Sequence, residues 1–121
     1  MTKREPTDCL EDILKYSGDM LAISRDLSRE EFDSNIEKQY ALLRCLEVVG
    51  EAAKRLLSIA PDFRDKYAEI DWKKVMGMRD ILIHHYEQAN MDIVWQTIKK
   101  DVPHFEKAIR KILLTESKKS S

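Results

Sequence analysis

Between Arg29 and Ile59 no proline interrupts the chain, and apolar side chains return every three or four positions: Ile36, Tyr40, Leu43, Leu46, Val49, Ala53 and Leu56. That spacing draws one stripe along an α-helix, whereas a half-buried strand would alternate with a period of two. The pattern predicts a helix over about 29–59, with an irregular start where Asp33-Ser34-Asn35 forms a locally self-bonding cluster. A helix with one apolar stripe needs other helices to cover it, so this segment calls for a bundle.

The flanking segments supply those helices. Leu10, Ile13, Leu14, Met20 and Leu21 recur at helical spacing behind Pro6, which suits a first helical turn, and predict a helix over about 6–26. Ser28-x-x-Glu31 reads as a capping box. Pro61 ends the long helix, and a short turn is expected over 62–67. Asp71 can cap a third principal helix over about 72–87, whose Ile81-Leu82-Ile83 is apolar on all sides and predicts a central position. Asn90 caps the last helix, about 91–114, with Val94, Ile98, Val102, Phe105, Ile109 and Ile112 inward and a kink expected at Pro103. The polar tail, residues 115–121, is expected to fray. The expectation is one all-α domain over residues 1–121, an antiparallel up-and-down four-helix bundle with room for a short extra helix.

With 121 residues the chain can bury a core without staples, and its two cysteines, Cys9 and Cys45, read as small core hydrophobes rather than a disulfide or metal pair. No apolar run approaches the roughly 20 residues that span a bilayer, and the N-terminus has no signal-peptide pattern, so a cytoplasmic protein without membrane contact is expected. Net charge is −1, which gives no overall pull on nucleic acid. Residues 1–50 carry 7 basic and 11 acidic side chains, and residues 51–121 carry 14 and 11, so any RNA contact falls to the C-terminal half.

The chemistry concentrates in Gly77-Met78-Arg79-Asp80-Ile81-Leu82-Ile83-His84-His85-Tyr86. Metal-free RNA cleavage by a 2′-hydroxyl needs a base, a cation for the developing phosphorane charge, and a proton for the leaving oxygen. Histidine titrates near neutrality and serves as base or acid. Arginine is a permanent phosphate clamp, and tyrosine stacks on bases or binds phosphate oxygens. At about 100° per residue, Arg79 and Tyr86 lie within about 20° of each other, while His84 is about 140° from Arg79. Either the helix breaks near Gly77, or two copies converge at a symmetric interface.

Asp80 shares the face of His84 and can orient or charge it. The bland readings are an Arg79–Asp80 ion pair, a core Tyr86, a surface His85 and a solvent-facing His104. In Val48-Val49-Gly50-Glu51-Ala52-Ala53-Lys54 the small residues permit close approach of another helix. Glu51 beside them either pairs with Arg79, pairs with Arg55 one turn on, or faces solvent. HExxH, paired His one turn apart, compact carboxylate clusters and Gly-rich phosphate loops are absent, so no metal and no cofactor is expected.

Val49-Gly50-Glu51-Ala52-Ala53-Lys54, Ile70-Asp71-Trp72, Gly77-Met78-Arg79-Asp80, Ile83-His84-His85-Tyr86, Val94-Trp95 and Asp101-Val102-Pro103 resemble, in order, the HepT-like family of the HEPN superfamily, once a domain of unknown function. The resemblance covers about Leu10 to Leu114. It implies a four- or five-helix HEPN fold, a homodimer, and endoribonuclease activity from an Arg-x4-His-x-Tyr motif at the dimer cleft. Arg79, His84 and Tyr86 fill that motif as the catalytic set, with Asp80 beside the arginine. It further implies the toxin of a toxin–antitoxin pair, acting on RNA, with a MntA-type minimal nucleotidyltransferase as antitoxin that adds AMP to Tyr86. The competing expectation is a non-catalytic helical binding module for such a nucleotidyltransferase.

Overall fold

A computed structural model describes residues 4–84 and 90–120. Among these residues the protein is all-α, without a strand. The elements are α1 (Pro6–Ser24), α2 (Arg29–Ser34), α3 (Ile36–Ile59), α4 (Phe63–Lys66), α5 (Trp72–His84), α6 (Met91–Gln96), a π-helical turn (Thr97–Asp101) and α7 (Val102–Ser120). Helix α1 packs on α3 and α7, and α5 packs on the other side of α3. One core joins them, with Leu10, Ile13, Met20, Phe32, Leu42, Leu56, Ile98 and Ile109 among its fully enclosed side chains. Cys9 and Cys45 are buried free thiols within it, as their apolar neighbours predict. Among the described residues no helix is long and apolar enough to cross a membrane.

The predicted caps form. The Ser28 Oγ accepts from the Glu31 N–H at 3.1 Å, Asp71 accepts from Lys74 N–H at 3.0 Å, and Asn90 accepts from Asp92 N–H at 2.8 Å. Each satisfies backbone donors that the first helical turn leaves orphaned.

Four expectations change. The long helix over 29–59 is two helices, because Asn35 turns extended and its side chain accepts from the Lys38 N–H at 3.0 Å, restarting the helix as a new cap. Gln39 donates back to the Phe32 carbonyl at 2.7 Å and covers the end of α2. Ile36 and Tyr40, in the first turns of α3, stand 57% and 53% exposed, outside the core they were assigned to. Among the described residues α5 packs chiefly on α3. Of the Ile81-Leu82-Ile83 run that predicted a central position, Leu82 is buried and the other two side chains lie outside the described atoms.

At Pro103 the disturbance is a widened turn just before the ring. The Val102 N–H reaches the Thr97 carbonyl, one residue beyond the α-helical partner. Proline has no N–H to offer the fourth residue back, and the wider turn absorbs that gap while the apolar stripe continues through Ile109 and Ile112. The tail does not fray: α7 continues to Ser120. Its last turns are tied down at Glu116, which accepts from the Tyr67 hydroxyl and pairs with Lys66 at 3.0 Å.

Candidate functional site

Helix α5 carries the site residues, and its sequence explains its course. Asp71 caps it, Trp72 anchors its first turn with the indole N–H donating to the Tyr67 carbonyl at 3.1 Å, and Leu82 is buried near its end. The helix is unbroken from Trp72 to His84, and no glycine has a positive φ. Of the two routes that sequence geometry left open, a break near Gly77 is therefore removed. The backbone positions of Arg79 and His84 lie on one continuous helix, five residues or about 140° of turn apart.

Arg79 lies where α5 crosses α3. A Cβ built on Gly50 would come within 2.1 Å of the Arg79 Cβ, 2.9 Å of its Cγ and 3.1 Å of the Val75 carbonyl oxygen. The close approach predicted for the small residues of α3 is thus made at Gly50, and the group received there is the arginine stem itself. The side chain keeps 18% of its surface exposed. Its Nε is enclosed without a hydrogen-bond partner among the described residues, and its Nη1 donates to the Asp80 carboxylate at 2.8 Å. The guanidinium is thus oriented, with one edge inward and one terminal nitrogen tied to an exposed acid.

The Glu51–Arg79 pair is not made within the chain. Among the described residues Glu51 forms an ion pair with neither Arg79 nor Arg55, and its side chain is exposed. The reason is rotational: Gly50 faces α5, and the next residue is turned about 100° away. Glu51 lines a groove of about 220 Å³ between α1 and α3 together with Arg4, Asp12, Tyr16, Arg44 and Arg55. Sequence reasoning missed this groove, because its arginines come from distant segments. A second cleft, about 330 Å³, opens between α3, α5 and α7 over Val49, Val75, Met78 and Phe105, with a Lys74–Asp101 bridge of 3.0 Å at its edge. Of the predicted site residues with described side chains, Glu51, Arg79 and Asp80, none lines it.

His84 lies on α5 by its backbone, while its imidazole lies outside the described atoms. Tyr86, the third member of the motif, and His85 lie outside the described residues. His104 is exposed, as predicted. The structure thus brings together Arg79 and Asp80 and separates Glu51 from both.

Among the described residues the chain is all-helical, and α5 carries a seated guanidinium five residues before a histidine. Residues 8–112 match the family described as Ribonuclease HepT-like, and the chain belongs to that family. A relative from Methanocaldococcus jannaschii, provisionally named an RNase, is 42% identical, the match covering 93% of this chain and 95% of that protein. One from Caldanaerobacter subterraneus with the same provisional name is 37% identical over 93% and 98%. One from Thermococcus cleftensis, provisionally named ribonuclease HepT, is 34% identical over 91% and 97%. No solved structure matches.

Proposed function

We propose that this protein is a metal-independent endoribonuclease, working in the cytoplasm as the toxin of a HepT/MntA-type pair, with Arg79, His84 and Tyr86 at a cleft between two protomers. The observation that carries the reading is the unbroken helix that places Arg79 and His84 about 140° apart with the guanidinium already oriented. One copy of the helix cannot aim both groups at one phosphate, and a second copy related by a two-fold axis can. In the sequence Ile81-Leu82-Ile83 is apolar on all sides, and such a segment calls for cover on more than one side, which supports the same arrangement.

In the proposed reaction a 2′-oxygen attacks the adjacent phosphorus. The O2′–P bond forms, the P–O5′ bond breaks, and the products are a 2′,3′-cyclic phosphate and a 5′-hydroxyl. The His84 imidazole of one protomer takes the 2′-hydroxyl proton, and that of the other delivers a proton to the leaving oxygen. Arg79 meets the charge that grows on the non-bridging oxygens, where a fixed cation counts most. Tyr86 contacts the RNA, and AMP added to its hydroxyl by the nucleotidyltransferase antitoxin would put bulk and negative charge where phosphate must sit.

The deciding experiment incubates purified protein with RNA in EDTA beside His84→Ala. Cleavage that persists in EDTA and disappears in the variant is expected. An inert wild type shifts the assignment to a non-catalytic module serving the nucleotidyltransferase. Mass spectrometry after co-expression with such an enzyme tests the off-switch, and a neutralised complex with unmodified Tyr86 rejects it.

A further inference from the structure

We infer that Gly50 is a positioning residue: the side chain it lacks is the seat that fixes the Arg79 guanidinium. The inference rests on the reading of Arg79 as the catalytic cation. Three observations converge on it.

First, the contact is closer than any side chain allows. Carbon atoms meet comfortably at about 3.5–4.0 Å, so a Cβ placed 2.1 Å from that of Arg79 cannot be absorbed by adjusting a flexible tip. The colliding atom is rooted in the backbone of α5, and the Val75 carbonyl oxygen at 3.1 Å blocks retreat along the same helix. The other two described glycines, Gly18 and Gly77, have nothing within 4 Å of a built Cβ. The requirement for glycine is local to this seat.

Second, the seat holds a residue poorly suited to filling space. The Nε of Arg79 is enclosed and, among the described residues, unpartnered, a desolvation cost that a leucine or methionine there would avoid. An arginine with its stem against bare backbone gains little from burial, but its terminal nitrogens are delivered to the surface at a fixed depth.

Third, the tip is pinned as well. With Nε inward and Nη1 on Asp80 at 2.8 Å, the guanidinium has lost most of its rotational freedom before any phosphate arrives. Ordering that would otherwise be paid on binding is already in place, which is how a held cation lowers a barrier. Gly50 touches no substrate in this scheme and acts only through Arg79.

The test is Gly50→Ala in the full chain, read three ways. RNA cleavage is expected to lose roughly 100-fold in kcat, the scale of an ångström-sized misplacement, with KM changed far less because the charge is still present. The Arg79 Nε–H, followed by ¹⁵N NMR, is expected to shift and to exchange faster with water. Gly18→Ala is expected to leave kcat unchanged. A folded Gly50→Ala protein with wild-type kcat, or with Nε–H equally protected, overturns the inference. If the wild type cleaves no RNA, the ribonuclease reading fails, and the exchange measurement still decides the seat. If Gly50→Ala does not fold, Gly50→Ala/Arg79→Gly settles it. Recovery of folding traces the damage to the two Cβ atoms, and no recovery overturns the seat.

Discussion

Helix α3 faces two neighbours in different ways. Towards α1 it closes on bulk: Leu10, Ile13 and Met20 of α1 share an enclosed core with Leu42 and Leu56 of α3. Towards α5 it offers bare backbone at Gly50, and of the described α5 side chains Trp72 and Leu82 are buried while Val75, Met76, Met78 and Arg79 are half-buried. The first contact gains stability from apolar area removed from water. The second buries apolar side chains too, and at Gly50 it also holds a cation in a set place. On the proposed function, one helix thus separates the part of the molecule that keeps it folded from the part that would present chemistry, and substitutions on the two faces should fail differently.

The largest expected effect lies on the α1 face. Leu10→Ala should lose about 2–5 kcal/mol in urea denaturation, the usual cost of truncating a fully buried leucine. Cleavage per folded molecule should be unchanged. A specific activity that falls with stability would erase the division between the faces.

Arg79→Ala should behave in the opposite manner. RNA cleavage should drop roughly 100- to 1000-fold, as when a charge-stabilising donor is removed. Stability should move by about 1 kcal/mol or less, since the lost stem packing is offset by removal of an unpartnered buried Nε. An Arg79→Ala protein that unfolds readily but cleaves normally would reassign the residue to the structural side.

These two faces were unequally legible in the sequence. The α1 face was written in periodicity: Leu10, Ile13, Met20 and the Leu43-to-Leu56 stripe are repeated at the helical interval, and repetition survives without knowing the partners. The Asn35 break was half legible, since Asp33-Ser34-Asn35 marked an irregular start but not that Asn35 would cap a separate helix and leave Ile36 and Tyr40 outside. The α5 face depends on which residue meets which across two helices. Small residues at Gly50, Ala52 and Ala53 signalled a close approach, yet nothing local said that Arg79 would occupy it or that Glu51 would be rotated away. Pairings between distant segments, such as Glu116 with Tyr67 and Lys66, leave no periodic trace, and so a tail expected to fray is helical.

That tether gives a smaller, pH-dependent effect. Burial pushes the Glu116 carboxyl up, but hydrogen bonds from Tyr67 and Lys66 outweigh it and hold the group below the ordinary glutamate value. A depressed carboxylate stabilises the fold above its unfolded pKa, and the contribution is lost as pH falls through the lower folded value. Glu116→Gln should therefore cost about 1 kcal/mol near neutral pH. The difference from wild type should close in acid. A difference that persists unchanged at low pH would mean that packing, not charge, holds the end of α7.

The smallest expected effect, at Gly18, gives the sharpest contrast. Glycine to alanine inside a helix normally stabilises, because alanine has fewer unfolded conformations to lose. Gly18 sits in α1 with open space around a built Cβ, so Gly18→Ala should gain about 0.4–1 kcal/mol. Gly50→Ala, the same chemical change in α3, meets Arg79 and should reverse the sign. Thermal melts of the two variants side by side read the comparison directly. If both stabilise, α5 has room to give way, and the α3–α5 contact is softer than its geometry requires. Opposite signs place the constraint at the arginine seat, since propensity, helix type and substituent are held constant between the two.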